Sequence, residues 1–365
     1  MVKQIKEKSV VYDNPKLPYI TIKPNTHEDW LLERNKGIGA SECGKIIGCS
    51  KYGTPYSLFC DKIGIGERIE ENWAMRQGHI FEREVAEQFQ RDMGMSVIGL
   101  HQSTNVKADW LACSREHDFL RVSPDYLYWL KEANGKDKPH NLFNRGVLEC
   151  KTSVHHYKPE CLQNECISWY CQVQYQLYVL GLKDAYLGFL CVDSLTGGES
   201  WFEYIPYNEK FCKETLIPSI IEFWTKHIAP ARAAIADGCT TDTVMQFAPV
   251  ITNADDITKR YPKESEGKSI NGTDIPDFFD KLGVYIQRKS AIKELEQQQK
   301  EFEDEIKLFM ADAESIVGTD NKAIVTFKSA KPSMKFDSAK FKAECSEQYS
   351  QYCSEVPGSR RLIFK

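Results

Sequence analysis

The stretch Gly146-Val147-Leu148-Glu149-Cys150-Lys151-Thr152 decides how this chain is read. Its apolar, β-branched front half is a strand signal, and in an extended chain side chains two residues apart share a face. Glu149 and Lys151 therefore project together, roughly 6.6 Å apart at about 3.3 Å per residue. Cys150 points away, leaving its carbonyl near the same spot. Upstream, Ser123-Pro124-Asp125 opens the run SPDYLYWL. With that run as the neighbouring strand, Asp125, Glu149 and the Cys150 carbonyl converge into an all-oxygen set of the kind that Mg²⁺ or Mn²⁺ selects. Two carboxylates about 4 Å apart repel by roughly 4 kcal/mol at an effective dielectric of 20, and a divalent ion removes that penalty. A Pro-Asp followed by Glu-x-Lys is equally compatible with ordinary surface ion pairing when nothing else accompanies it.

Outward from this pair, the β-type runs MSVIGLHQST, WLACS, SPDYLYWL and GVLECKT follow Gly94 and are expected to form one antiparallel meander. The polar stretch from Lys131 to Arg145 reads as an exposed hairpin extension. Before the runs, THEDWLLERNKGIGASE predicts a helix capped by Thr26 or Asn25, and shorter helices end at Gly48 and Gly64. A longer helix over 73–93 buries a stripe of Phe81, Val85 and Phe89. Glu82 shares a face with Ala86, Phe89 and Met93. A carboxylate there is costly unless it meets a cation, although the helix dipole also favours a solvated glutamate near a helix start.

After the runs, Leu162, Cys166, Trp169, Val173, Leu177 and Leu180 trace a helical stripe ending at Gly181, with Gln172 on its flank. LGFLCVD and SWFEYIPY follow as strands around a Thr-Gly-Gly turn, and a helix over 208–237, interrupted or kinked at Pro218, closes the domain. This order predicts an α/β domain in which helices cover a twisted mixed sheet. The division expected is an N-terminal arm over 1–25, the α/β domain over 26–240, a linker region over 241–280 and a C-terminal extension over 281–365. The extension begins with a charged helix, and AIVTFK and RRLIFK are expected to pair as two small strands.

With 365 residues the chain can bury a substantial core without a metal or disulfide staple. Apolar residues at 42% and charged residues at 27% are ordinary soluble values, and no apolar run is long enough to span a bilayer. The first residues lack the apolar core of a secretory signal, so a cytoplasmic location is expected. Thirteen cysteines are scattered without a C-x-x-C pair, which argues for reduced thiols over a metal or disulfide framework. The formal net charge of −5 lends no overall attraction to nucleic acid. A DNA partner has to meet a local basic groove.

Several segments stand in a fixed order: Arg34 followed by GIGASE, GCSKYGTPYSLFCDKIG from Gly48, and N-x-x-M-x-x-G-x-x-x-E from Asn72 to Glu82. SPD at 123–125, ECK at 149–151 and QVQYQL from Gln172 complete the series. Together they resemble the YqaJ-type viral recombinase family, the phage exonuclease group that includes lambda exonuclease, within the PD-(D/E)XK nuclease superfamily. The resemblance implies a restriction-endonuclease-like core, to which this chain adds its C-terminal helical and small β extension. It implies a metal-dependent DNA exonuclease, acting 5′ to 3′ on linear duplex ends to leave single strand for recombination. Mg²⁺, with Mn²⁺ as substitute, is the implied cofactor, and a single-strand annealing protein the implied partner.

Residue by residue, the resemblance assigns Asp125, Glu149, the Cys150 carbonyl and Glu82 to the metal. Lys151 is the catalytic lysine, and Gln172 and Glu82 complete the site. Arg34 matches the arginine that takes a DNA 5′-phosphate, with Ser41 and Ser123 lining the same pocket. An endonuclease, an exonuclease of other polarity and a catalytically silent DNA-binding scaffold of the same fold stand as alternatives. The C-terminal extension and the 131–145 loop depart from the family pattern and leave a homo-oligomer open.

Overall fold

In the computed structural model, residues 9–66, 72–98, 110–131, 144–193, 199–354 and 360–364 are described. The chain divides into two compact units, Met1–Ile257 and Thr258–Lys365. Most of the stretch 131–145, the end of the run MSVIGLHQST and the Thr-Gly-Gly turn lie outside the described residues.

The first unit is built on two sheets. Residues read as an N-terminal arm contribute β1 (Ser9–Tyr12) and β2 (Tyr19–Pro24), which pair antiparallel with each other. Tyr19 and Ile22 of β2 turn into the core, which is why a stretch that looks merely Lys- and Pro-rich is held in a sheet. Thr26 caps α1 (His27–Asn35), its side chain accepting from the Asp29 N–H at 3.1 Å. The short β3 (Ile38–Gly39) leads into α2 (Cys43–Ile46), and α3 (Pro55–Ile63) follows behind a Thr54 cap. After α4 (Trp73–Met93) come β4 (Leu111–Ser114) and β5 (Leu120–Val122). They complete a five-stranded sheet in the order β1-β2-β4-β5-β3.

The expected single meander is thus split. β4 and β5 belong to the five-stranded sheet, whereas β6 (Tyr126–Trp129) and β7 (Arg145–Ser153) open a second one with β8 (Asp184–Cys191) and β9 (Glu199–Pro206). The break falls on Ser123-Pro124-Asp125. Pro124 has no N–H to continue a ladder, so the chain leaves one sheet there and enters the next. In the second sheet β6 and β7 are antiparallel, β7 and β8 parallel, and β8 and β9 antiparallel. The parallel pair requires a crossover, supplied by α5 (Ile167–Leu180). α5 starts later than its apolar stripe suggests, because Asn164, at φ −132° and ψ −102°, separates it from the preceding 3₁₀ turn Pro159–Gln163. This mixed sheet with helices against it is an α/β core.

Alternation along β7 sorts the layers. Leu148 packs with Ala86 and Phe89 of α4, while Val147 joins the larger core that holds Val173 and Leu177 of α5. α4 comes very close to the sheet at Gly188, where an added Cβ would stand 2.7 Å from Val85 Cγ1 and 2.9 Å from Phe202 Cε1. Gly188→Ala is therefore expected to cost about 1–3 kcal/mol by overpacking, read as a lower urea midpoint at unchanged slope. An unchanged midpoint would show that α4 has room to shift.

The run 209–236 is helical but contains two π-turns, Cys212–Leu216 and Trp224–Ile228, each followed by a proline one residue into the next turn. The wider turns relieve the N–H that Pro218 and Pro230 cannot donate, so the expected kink is absorbed at two places. In the second unit the helix Phe278–Met310 is followed by β10 (Ser315–Val317) and β11 (Ala323–Thr326), an antiparallel pair. AIVTFK thus pairs with the strand just before it and, among the described residues, not with RRLIFK. A short turn, with the Asn321 N–H on the Gly318 carbonyl at 3.0 Å, closes a far smaller loop than the distant partner requires. Among the described residues no helix is long and apolar enough to cross a membrane.

Candidate active site

β7 places Glu149 and Lys151 on the α5 side of the sheet. Glu149 is 1% exposed and fully engaged. Its Oε1 accepts from Lys151 Nζ at 2.6 Å and from Gln172 Nε2 at 2.5 Å, and its Oε2 accepts from Gln176 Nε2 at 2.8 Å. Lys151 Nζ also donates to Gln172 Oε1 at 3.0 Å. The two glutamines stand one helical turn apart on α5, so one face of that helix supplies both. Gln172 was legible in the sequence. Gln176 was missed, although its i, i+4 relation to Gln172 inside QVQYQL was the available signal.

Asp125 stands on the neighbouring strand's lead-in, where the chain turns from β5 to β6. Its Oδ2 accepts from the Cys150 N–H at 2.8 Å, so Cys150 meets Asp125 through its N–H and not through its carbonyl. Burial, then the charges of Glu149 and Glu82, push the Asp125 carboxyl well above the usual carboxylate range, outweighing Lys151 and the Cys150 N–H. Burial disfavours the charged form of Lys151, but Glu149 and Asp125 outweigh it and hold the ammonium above its ordinary value. Lys151 is therefore a fixed cation at neutral pH. Glu82 is 8% exposed on α4, the helix that packs on the opposite side of the sheet from Glu149.

The second cluster lies around the GIGASE turn. Arg34, in the last turn of α1, donates from Nη2 to Ser41 Oγ at 2.6 Å, and its guanidinium lies 5.1 Å over the Trp30 ring. Ser123 Oγ donates to the Trp110 carbonyl at 2.9 Å. Arg121, two residues before Ser123 on β5, was not singled out from sequence. It is buried, and its Nη1 donates to the Glu33 carbonyl at 3.0 Å and to Glu33 Oε2 at 3.1 Å, which ties the end of α1 to the sheet.

All nine residues expected from sequence, Arg34, Ser41, Glu82, Ser123, Asp125, Glu149, Cys150, Lys151 and Gln172, line one cleft of about 880 Å³. That volume is within the usual range of ligand sites. Among the described residues, no three His, Cys, Asp or Glu side chains are grouped to hold a metal ion as they stand. Glu149 faces protein donors, and Glu82 approaches from the other side of the sheet. The chemistry still fits a hard divalent cation, since Mg²⁺ is held by one or two carboxylates with waters filling its other positions. Asp125 and Glu149 supply two, and the burial and then the repulsion that raise Asp125 are what a cation offsets. Asp125→Asn is accordingly expected to raise the melting temperature of the metal-free protein, by on the order of 2–4 °C per kcal/mol of repulsion removed. A lower melting temperature in chelator would show that the charge is not under strain.

The class the fold defines is a mixed α/β domain, with Glu149 and Lys151 on the inner strand β7 and Asp125 just before β6. Residues 29–183 match the model of the YqaJ-like viral recombinase domain. An uncharacterized protein of Bacillus subtilis (strain 168), YqaJ, is 27% identical over 293 residues, covering 79% of this chain and 80% of that protein. Among solved structures, an alkaline exonuclease from Laribacter hongkongensis is similar over 58% of this chain and all of its own, with a TM-score of 0.42 and 16% identity. A phage-related exonuclease from Haemophilus somnus 129PT is similar over 52% of this chain and 90% of its own, with a TM-score of 0.35 and 13% identity.

Proposed function

We propose that this chain is a Mg²⁺-dependent DNA exonuclease that enters linear duplex at an end and removes one strand from its 5′ terminus. The observation that carries the reading is the bonded set Glu149, Lys151 and Gln172, with Asp125 on the adjoining strand, in the same cleft as the Arg34–Ser41 pair. A phosphodiester hydrolase needs a place for its scissile phosphate and a place that sets which phosphate arrives there. The likeness of residues 29–183 to the viral recombinase domain supports DNA as the substrate.

A divalent ion bound at Asp125 and Glu149 would acidify a water and offset charge on the phosphate. The chain's own residues do the rest. Lys151 Nζ, held charged and bonded to Glu149 and Gln172, offers a preorganised donor for charge developing on a phosphate oxygen. Its raised affinity for a proton fits this part and not that of a general base. Gln172 bridges the ammonium and Glu149, fixing both side chains in one rotamer. Burial of Glu149 excludes water from that side of the cluster.

The direct test is digestion of a linear duplex labelled at either end, with Mg²⁺ or with chelator, comparing 5′-phosphate and 5′-hydroxyl termini. Release of 5′ label first, only with metal and faster from phosphorylated ends, is the expected result. Release of 3′ label first would overturn the polarity, and metal-dependent nicking of a closed circle would favour an endonuclease.

A further inference from the structure

Behind Arg34 and Ser41 lies an ion pair that has no part in the chemistry described so far. Glu42 Oε2 accepts from the Gly39 N–H at 2.7 Å and from Lys62 Nζ at 2.8 Å. Lys62, on α3, is 4% exposed, so this ammonium has left water almost completely. A buried charge of this kind is kept only where a partner compensates it, and breaking one side of such a pair leaves the other uncompensated. Burial, together with the positive charges of Arg34 and Arg232, works against the charged form of Lys62, while Glu42 supports it. The bond from Lys62 Nζ to Glu42 Oε2 is thus the contact that compensates the buried ammonium.

The contacts lead from this pair to Arg34. The bond to the Gly39 N–H fixes the turn, and the guanidinium packs directly on Gly39: an added Cβ there would stand 3.4 Å from Arg34 Nε and 3.5 Å from Glu42 Oε2. Ser41, which receives the Arg34 hydrogen bond, is the residue just before Glu42. From the other side, Arg121 holds Glu33, the residue just before Arg34. Arg34 is therefore fixed by Glu42 through the turn beneath it and by Arg121 through its own helix.

We infer that Glu42 and Lys62 are positioning residues for a terminal-phosphate clamp, holding Arg34 and Ser41 in the geometry that distinguishes a phosphorylated DNA 5′ end from a 5′-hydroxyl end. The inference rests on the proposed end-directed nuclease activity and deepens it. The physical basis is that a bidentate guanidinium contact depends on orientation as well as charge. Loosening the turn keeps the Arg34 charge but loses its aim.

The experiment is the ratio of single-turnover cleavage rates on otherwise identical duplexes bearing 5′-phosphate or 5′-hydroxyl ends, in Mg²⁺, for the full chain. The ratio is independent of the fraction of enzyme correctly folded, so a loss of stability alone does not move it. Glu42→Gln keeps an acceptor for the Gly39 N–H and removes the charge, and Lys62→Met removes the ammonium and keeps the stem. Each is expected to lower the ratio by about tenfold or more, the scale of one charge-assisted hydrogen bond. Arg34→Ala serves as the limit, with a ratio near one. If Arg34→Ala abolishes the preference while both other variants retain it within twofold, the pair is structural only and this inference fails alone. If the wild-type chain shows no preference, the phosphate reading fails and carries the inference with it.

Discussion

Single-turnover cleavage of a linear duplex in Mg²⁺ is expected to fall below detection in Lys151→Ala and in Asp125→Ala, while both variants stay folded and still bind duplex ends. For Lys151 the reason is that its ammonium is the fixed cation bonded to both Glu149 and Gln172. Removing one preorganised donor of this kind costs about 10² to 10³ in rate, before counting the Glu149 carboxylate left buried without its cation. For Asp125 the loss is one of the two carboxylates available to a divalent ion, with the Cys150 N–H left without its acceptor. The two variants separate in chelator. Lys151→Ala uncovers a buried charge and melts earlier, whereas Asp125→Ala removes a strained one and does not share that loss. Ca²⁺ should support binding without turnover, because it accepts looser oxygen geometry and acidifies water less than Mg²⁺. Undiminished cleavage by either variant would remove this cluster as the active site.

The second large effect concerns Arg34. Its guanidinium is already set against Ser41 and over Trp30, so little rotamer freedom remains to be lost when a phosphate arrives. A charge-assisted, bidentate contact contributes about 1.5–3 kcal/mol, which corresponds to roughly 10- to 150-fold in rate. Arg34→Ala is expected to slow digestion of 5′-phosphorylated ends by that factor and to erase the distinction from 5′-hydroxyl ends. Lys at this position should rescue only in part, since an ammonium keeps the charge and loses the planar fork. A variant that keeps the wild-type preference would reduce Arg34 to a surface residue of α1. The assignment also falls if the wild-type enzyme digests both kinds of end equally.

Much of the site was legible because its parts are local. The period of a strand alone puts Glu149 and Lys151 on one face, and the period of a helix alone puts Gln172 beside an apolar stripe, where a polar side chain needs an explanation. Caps and turns were equally local: Thr26 starts α1, and Gly64, Gly94 and Gly181 end their helices in the left-handed conformation that glycine adopts without penalty. Resemblance added the order of the segments, and with it the expectation that Arg34, Ser41 and Ser123 belong near Asp125.

What only the tertiary structure decided is which strands share a sheet and which partners meet across it. Four β-type runs in succession look alike whether they form one meander or two sheets, since pairing is set by contacts far apart in the chain and not by the pattern within each run. The strands of residues 9–24 and the pairing of β10 with β11 were hidden for the same reason. The Glu42–Lys62 pair, the hold of Arg121 on Glu33 and the donors that Glu149 finds in Gln172 and Gln176 join residues that no periodicity connects. In the sequence each is one more charged or polar side chain of a kind usually solvated. Burial turns them into obligations, because a charge or amide taken out of water must find its partner within the fold.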